Sequence, residues 1–172
     1  PLHDVFNDVT FPTQCGREKG GITVVVAGIQ LTLEQNTSFA VSSLDVRNAF
    51  NEGNRDKILD APCNEPRLRG MYVYAHRLPA NPSYIGMGSG TSLFDPGFRC
   101  EKGVQQGAPE ASFLFNLLIH AANKETNDQL AQDGGSLLAI HDDTYFVGPP
   151  EAVFRAESDH AQRLARVGLI LQ

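Results

Sequence analysis

The sequence contains no tryptophan and only three cysteines, Cys15, Cys63 and Cys100, which lie far apart. No two of them form a CxxC pair, so the ligand spacing of a structural zinc site is missing. An odd number of isolated cysteines is typical of reduced thiols rather than of a disulfide framework. We therefore expect an intracellular protein, nuclear or cytoplasmic and not secreted.

Long apolar runs are also missing from the sequence. No stretch approaches the roughly 20 apolar residues that are needed to span a bilayer, and no basic segment followed by an apolar one opens the chain as in a secretory signal. We expect no membrane partner. The chain begins with Pro1-Leu2-His3-Asp4 and lacks an initial methionine, so we interpret it as a piece of a longer protein.

The sequence also has few positively charged residues. The chain has 14 lysines and arginines against 20 aspartates and glutamates, which gives a net charge of -6. This balance argues against a protein that binds nucleic acid alone, because such domains usually carry a basic surface. Part of the negative charge would be offset if some of the acids held metal ions.

The length of 172 residues and the apolar content of 41% fit one globular domain with a core. Apolar spacing and turn residues predict helices at 22–35, 54–60, 66–76, 109–127 and 150–168, and strands at 39–45, 136–140 and 144–148. We expect loops over residues 1–21, and short β-like pieces over 82–100 with turns at 86–90 and 95–97. For residues 22–35, the β-branched run Val24-Val25-Val26 also permits a strand. This order predicts an α+β domain in which an antiparallel sheet carries helices on one face.

Acidic residues follow two of the predicted strands. Asp45 ends the apolar run 39–44, and Asp142 and Asp143 follow the apolar run 137–140. Carboxylates at buried strand ends are costly unless a cation meets them, and two adjacent carboxylates raise each other's pKa. A solvated turn is the alternative, since Asp is common in turns. The apolar flanks on both sides favour divalent metal ions, and oxygen ligands select hard ions such as Mg²⁺, with Mn²⁺ as a substitute.

A third segment, residues 103–107 (GVQQG), precedes the clearest predicted helix. Two glycines around polar residues allow a backbone to approach a substrate closely, although the segment also suits a plain turn that leads into a helix. In order and spacing, the segments 43–51, 103–109 and 140–145 together resemble the three core motifs of a reverse transcriptase palm. Residues 14–16, and residues 48–51 with Arg55, resemble the reverse transcriptases of non-LTR retrotransposons.

This resemblance implies an α+β polymerase palm with a ferredoxin-like core and part of the fingers. It implies a finger-proximal segment over residues 1–38 and a palm over 39–172, with the thumb and N-terminal fingers outside the sequence. The implied activity is RNA-directed DNA polymerisation, in which two Mg²⁺ ions assist transfer of dNTPs to a primer 3′-hydroxyl. The implied partners are an RNA template, a DNA primer, a dNTP, and the remaining fingers and thumb of the parent polypeptide.

The resemblance also implies the site residues. The catalytic and metal-binding residues are Asp45, Asp142 and Asp143, and the third of these plays a supporting part. The substrate-binding residues are Val46, Arg47, Asn48, Ala49, Phe50, Gln106 and Gly107. Phe50 takes the position of the aromatic that excludes a 2′-hydroxyl in the family, which implies selection of deoxynucleotides.

One departure from the family pattern lies directly before the acidic pair. Ile140 and His141 occupy the two positions that are usually aromatic and small. Together with the net acidity, this keeps open a second hypothesis, that of a palm without catalysis that serves as a scaffold or as a module for binding protein or RNA. An RNA-directed RNA polymerase palm is a third, weaker hypothesis. Phe50 argues against it because those enzymes generally place a polar residue there.

Overall fold

The computed structural model describes residues 2–10, 12–77, 83–85 and 98–172. Its α-helices are α1 (Leu2–Thr10), α2 (Gly21–Gln35), α3 (Ala49–Glu52), α4 (Arg55–Asp60), α5 (Tyr72–Arg77), α6 (Ala111–Gln132) and α7 (Pro150–Ala165). Its strands are β1 (Ala40–Leu44), β2 (Ser83–Ile85), β3 (Phe98–Cys100), β4 (Ser136–Ile140) and β5 (Asp143–Gly148), and two 3₁₀ helices, Ala61–Asn64 and Pro66–Met71, join α4 to α5. The turns predicted at 86–90 and 95–97 lie outside the described residues.

The central feature is an antiparallel sheet with the strand order β1-β5-β4. In its register, Leu44 lies opposite Thr144, and Ile140 lies opposite Asp143 across the two-residue turn that joins β4 to β5. The end of β1 therefore lies beside this turn, and Asp45 follows directly at the edge of the sheet. β2 and β3 form a separate antiparallel pair.

Helices α6 and α7 cover one face of the sheet. Leu137, Ala139 and Phe146 point to that face and form a buried cluster with Leu130 of α6 and Val153 of α7. A second and larger cluster joins α6 to α1, α4 and the 3₁₀ helices. The predicted α+β class, with an antiparallel sheet and packed helices, is confirmed. The predicted placement of the helices on one face holds for α6 and α7 but not for α2, which packs against the opposite face.

Helix α2 packs against the opposite face at the β4 edge. Leu138 alternates with its buried neighbours and points away from α6. A Cβ atom added at Gly28 of α2 would lie 3.3 Å from the Leu138 Cδ1 atom, so the helix lies close to the strand. Residues 22–35 are thus helical, and the alternative of a strand over Val24-Val25-Val26 was wrong.

The prediction of loops over residues 1–21 was wrong for residues 2–10, which form α1. Phe6 is buried, and its ring centroid lies 4.5 Å from that of Phe113 in α6. Val5 and Val9 pack against the same core. A helix this short derives its stability from tertiary packing rather than from local propensity. The loop prediction rested on the proline and the glycines that follow this helix, which are typical of loops.

Local features of the sequence determine where several of the other helices begin or end. Asn54 caps α4 because its side chain accepts a hydrogen bond from the Lys57 amide at 3.1 Å. Helix α7 ends at Ala165, before Gly168, which has a positive φ of 85°. Helix α6 extends beyond its predicted end to Gln132, and Leu130 in this last part packs onto the sheet.

A buried polar cluster joins α6 to α7. The Thr126 hydroxyl lies 2.8 Å from the Ala122 carbonyl oxygen and forms a hydrogen bond of 2.9 Å with Nδ1 of His160. Arg163 donates to the same hydroxyl at 3.0 Å. Burial, and next the charge of Arg163, lower the pKa of His160 to about 4. His160 is thus neutral at neutral pH.

The structure bears on two expectations drawn from the composition, one on membrane-spanning segments and one on the cysteines. In the described ranges, no helix has both the length and the apolar character that a bilayer crossing requires. Cys15, Cys63 and Cys100 are free thiols. Cys15 is fully buried, and desolvation raises the pKa of its thiol.

Candidate functional site

The structure brings the three predicted carboxylates to one edge of the sheet. Asp142 lies in the β4–β5 turn and is half-buried, whereas Asp45 and Asp143 are exposed. Burial raises the pKa of Asp142, and the charges of Asp143 and Asp45 raise it further, against its backbone hydrogen bond and His141. Their mutual repulsion makes this edge a place where a cation would be stabilised.

The donor set fits a hard divalent ion, because it consists of carboxylate oxygens alone. Within the described ranges, no three His, Cys, Asp or Glu side chains already form a group that could hold a metal ion. Mg²⁺ is usually bound by one or two carboxylates together with substrate phosphates and water rather than by an all-protein cage. Two of these carboxylates with a bound nucleotide would meet that requirement.

The segment after Asp45 is tied to the end of the chain. The Arg47 amide donates to the Ile170 carbonyl at 2.9 Å, so it is not available to a phosphate oxygen. Val46 and Ala49 are buried in the core, which leaves only their backbone for contact with a ligand. The side chains of Arg47 and Asn48 are exposed. Of the residues 46–49 in this predicted substrate-binding run, these two therefore remain able to contact a ligand through their side chains.

Phe50 links the three sequence segments. Its ring stacks on Phe115 of α6 with centroids 4.7 Å apart, and its edge-on contact with the His141 ring has a centroid distance of 6.4 Å. Its carbonyl accepts a hydrogen bond from the Val104 amide at 2.7 Å. Phe50 is half-buried. It thus touches both the turn that carries Asp142 and the loop that carries Gln106.

The loop over residues 103–107 is fixed to the first segment at its beginning. Gly103 has a φ of 63°, and a Cβ atom there would lie 2.1 Å from the Phe50 carbonyl oxygen, so the close approach requires glycine. Arg55 donates to the carbonyls of Cys100, Lys102 and Gly103 at 2.8 to 3.1 Å. Gln106 and Gly107 are exposed farther along this loop, and Gly107 also has a positive φ, 93°. The structure holds the base of the loop and presents its tip to solvent.

A cleft of about 410 Å³ opens beside the start of α6. Met71, Tyr74 and Phe113 form its largely apolar lining, and Arg17 contributes a cation. Arg17 also lies over the Phe6 ring at 5.3 Å, and its charge is one of the influences that lower the pKa of His141. The cleft thus lies near the turn that carries the acidic pair.

Sequence reasoning assigned no role to four residues that shape this site. Gln14 and Asn116 contact His141, Arg55 holds the loop, and Arg17 lines the cleft. Asn116 did carry a signal, because it is a polar residue inside the apolar run of α6. Gln14 and Arg55 were visible only through the family resemblance, since their partners are far away in sequence.

Solved structures of telomerase from Candida tropicalis are similar to this chain. The apo enzyme has a TM-score of 0.71 at 10% identity, and the match covers 99% of this chain and 33% of the telomerase chain. The telomerase in complex with a TWJ fragment of telomeric RNA gives 0.69 at 10% identity, with 99% and 31% covered. A form truncated from its C-terminal domain gives 0.60 at 9%, with 99% and 38% covered.

No protein-family model matches the chain, and no curated protein matches it. The chain spans about a third of the length of the telomerase chains that it resembles. At such low identity the likeness shows the fold alone. The fold is similar to that of part of the telomerase chain, and the likeness does not point to the non-LTR type in particular.

Proposed function

We propose that this chain is the palm of an RNA-directed DNA polymerase that transfers dNTPs to a primer 3′-hydroxyl. The observation that carries the proposal is the meeting of Asp45, Asp142 and Asp143 at one sheet edge, where their charges act on one another. A carboxyl whose pKa is raised by burial and by neighbouring charges, as that of Asp142 is, is typical of functional sites. The reverse-transcriptase-like fold supports this reaction class, and one of the similar telomerase structures contains RNA.

In this proposal Asp45 and Asp142 hold Mg²⁺, and Asp143 supports them. When bound, the metal would supply Lewis-acid stabilisation of charge on the reacting oxygens. The side chains of Arg47 and Asn48 are exposed next to Asp45, where a triphosphate would lie. Phe50 would meet the sugar, and Gln106 with Gly107 would meet the nucleotide and its template base. The apolar cleft with Arg17 offers a surface on which a base can stack.

The finer assignments are part of the same proposal. The palm would comprise residues 39–172, and residues 1–38 would belong to the fingers. Membership of the non-LTR type rests on residues 14–16 and 48–51 with Arg55. The RNA template, DNA primer and dNTP are the proposed partners, together with the rest of the polymerase, whose basic residues would offset the net charge of -6.

The alternative is a palm without catalysis that serves as a scaffold or binding module. Two observations favour it. His141 and Ile140 replace the usual small and aromatic residues before the acidic pair, and no ready three-ligand metal group exists among the described residues. This alternative predicts the same fold, so only an activity measurement separates the two functions.

The test is primer extension on an RNA template with the longest polypeptide that carries this sequence, supplied with Mg²⁺ or Mn²⁺ and with dNTPs or NTPs. Asp142→Ala should lower extension by on the order of 10³-fold or more, since it removes a proposed metal ligand. Asp128→Ala is the matched control, because Asp128 pairs with Lys124 on the surface of α6.

Extension with dNTPs that survives Asp128→Ala and is lost with Asp142→Ala would support the proposal. Equal extension by both variants would remove Asp142 from the site. A wild-type protein that extends no primer under any of these conditions would contradict the polymerase function and favour the scaffold. Extension that prefers NTPs would contradict the proposed role of Phe50 in selecting deoxynucleotides.

A further inference from the structure

The turn that carries Asp142 has an unusual backbone. It consists of two residues between β4 and β5, and the first of them, His141, has a positive φ of 56°. Side chains other than those of Gly, Asn and Asp rarely occupy this position of a two-residue hairpin loop. Such a conformation persists only when the surroundings hold it in place. The direction of the Asp142 side chain depends on this turn, because Asp142 is its second residue.

Gln14 binds the backbone of the turn through its side-chain amide. Its Nε2 donates to the His141 carbonyl at 3.0 Å, and its Oε1 accepts from the His141 amide at 2.7 Å. The same Oε1 accepts from the Gly16 amide at 3.0 Å. One side chain therefore satisfies both backbone groups of the strained residue, as a neighbouring strand would.

Gln14 is itself held firmly. Its residue is 4% exposed, and its two neighbours bond to the same residue of β4. The Cys15 amide donates to the Ala139 carbonyl, and the Ala139 amide donates to the Thr13 carbonyl, both at 2.7 Å. Gln14 thus reaches the turn from a segment that is paired with the strand leading into that turn.

The His141 ring is fixed as well. It packs so closely on Gly16 that a Cβ atom there would lie 2.8 Å from the ring Cε1 atom. Its Nδ1 lies 3.1 Å from Oδ1 of the buried Asn116. Backbone and ring are therefore held by different residues, and the backbone contacts belong to Gln14.

We propose that Gln14 is a positioning residue that holds the His141–Asp142 turn in the conformation needed for catalysis. The inference rests on the proposed function for its catalytic part. Its structural part, that Gln14 holds the turn, stands on the hydrogen bonds alone. Residues that orient metal-binding side chains typically affect activity by about 10- to 100-fold when replaced.

The first readout needs no activity. Amide hydrogen exchange of the full chain is compared between wild type, Gln14→Ala and Gln14→Glu. The Glu variant keeps the size and the acceptor oxygen but cannot donate to the His141 carbonyl. We expect exchange of the His141 amide to rise at least about 10-fold in Gln14→Ala, while the Phe146 amide in β5 keeps its protection. Unchanged exchange at His141 would overturn the proposal.

The second readout is the primer-extension assay. We expect Gln14→Ala to lower kcat about 10- to 100-fold with little change in the KM for dNTP, because the turn positions a carboxylate and does not bind the nucleotide. In a His141→Gly background the same change should cost less, since glycine adopts a positive φ without support. Faster exchange with unchanged kcat, or equal losses in both backgrounds, would overturn the positioning role.

Thr13→Val is the matched control. Thr13 is the buried neighbour of Gln14, but its hydroxyl donates to the Thr10 carbonyl and not to the turn. This variant should leave both His141 exchange and kcat close to wild type. A wild-type protein that extends no primer would refute the proposed function and with it the catalytic role of Gln14, while the exchange readout would still decide whether Gln14 holds the turn.

Discussion

The two faces of the central sheet differ in what their side chains do. On the covered face, Leu137 and Phe146 are buried against α6 and α7. On the other face, Val41 is 44% exposed, Tyr145 is half-buried and Asp143 is exposed. Along β5, Tyr145 and Asp143 alternate with the buried Thr144 and Phe146, while Val147, farther from the turn, is buried on the same face as Tyr145. One strand thus contributes to the core and to the candidate site at once.

Because of this difference, the stability of the fold and the proposed activity can be tested by mutations on opposite faces of the sheet. Because successive residues of a strand point to opposite faces, a change at one position should affect the fold and a change at the next should affect the site. The acidic residues lie where the open face meets the β4–β5 turn. Mutations on the two faces therefore provide a direct test of the division.

The largest expected effect on stability is on the covered face. Phe146 is fully buried, with its ring centroid 5.3 Å from that of His160, so Phe146→Ala should lower the free energy of unfolding by about 3–5 kcal/mol. On the open face, Val41→Ala should cost less than about 1 kcal/mol. Urea unfolding of both variants measures the difference. Similar losses would contradict the division between the faces.

A second effect concerns the helices that cover the sheet and depends on pH. The pKa of His160 is lowered to about 4 in the fold, below its usual value of about 6.5, so protonation favours the unfolded state. The contribution of His160 to the free energy of unfolding should be fully present above about pH 6.5 and should decrease as the pH drops toward about 4. At lower pH the free energy of unfolding should be smaller by roughly 3 kcal/mol. Urea unfolding at about pH 7 and about pH 4 measures this loss.

The control for this effect is His160→Asn, in which the amide nitrogen can still donate to the Thr126 hydroxyl but does not titrate. The pKa values of His120 and His141 are also lowered by burial, and they act in the same direction in both proteins. Only the difference between wild type and variant therefore reports on His160. An equal loss of stability with acid in the two proteins would show that another group is responsible.

Local pattern predicted the parts of this molecule that depend on neighbours in sequence. The apolar runs before Asp45 and Asp142 and the apolar residues after Asp143 predicted the three strands of the sheet, and the spacing in residues 109–127 predicted most of α6. The prediction missed α1 although Val5, Phe6 and Val9 have helical spacing, because a helix so short depends on tertiary packing. The packing partner of Phe6 is Phe113 in α6, which is far away in sequence.

The same distinction applies to the candidate site. Its acids were predictable because each follows an apolar run, but the residues that hold them were not. Gln14 binds the backbone of His141, 127 residues away, and Arg55 binds carbonyls 45 to 48 residues away. Hydrogen bonds to a distant backbone leave no periodic signal, since a backbone carbonyl or amide is the same at every position. Resemblance to a family could point to these residues, and only the structure could assign their contacts.

The smallest expected effect, on the open face, is one of the most informative. Burial and the charges of Asp143 and Asp45 raise the pKa of Asp142, so its ionised form favours the unfolded state. The stability that this residue contributes is present at acid pH and is lost as the pH rises through its folded pKa. Asp142→Asn removes the charge and should therefore raise stability at neutral pH, by up to about 1 kcal/mol, whereas Asp128→Asn on the surface of α6 should not.

Mg²⁺ then sharpens the comparison without requiring any activity. If the acidic edge binds the ion together with a nucleotide, Mg²⁺ added with a dNTP should stabilise the wild type more than Asp142→Asn and reduce or reverse their order, because a ligand that binds only the folded state adds to its stability. Thermal or urea unfolding without ligand and with Mg²⁺ and dNTP measures both steps. A variant that is less stable than wild type without ligand would show that the carboxylate supports the turn structurally, and an equal response of both proteins to Mg²⁺ with dNTP would remove Asp142 from the metal site.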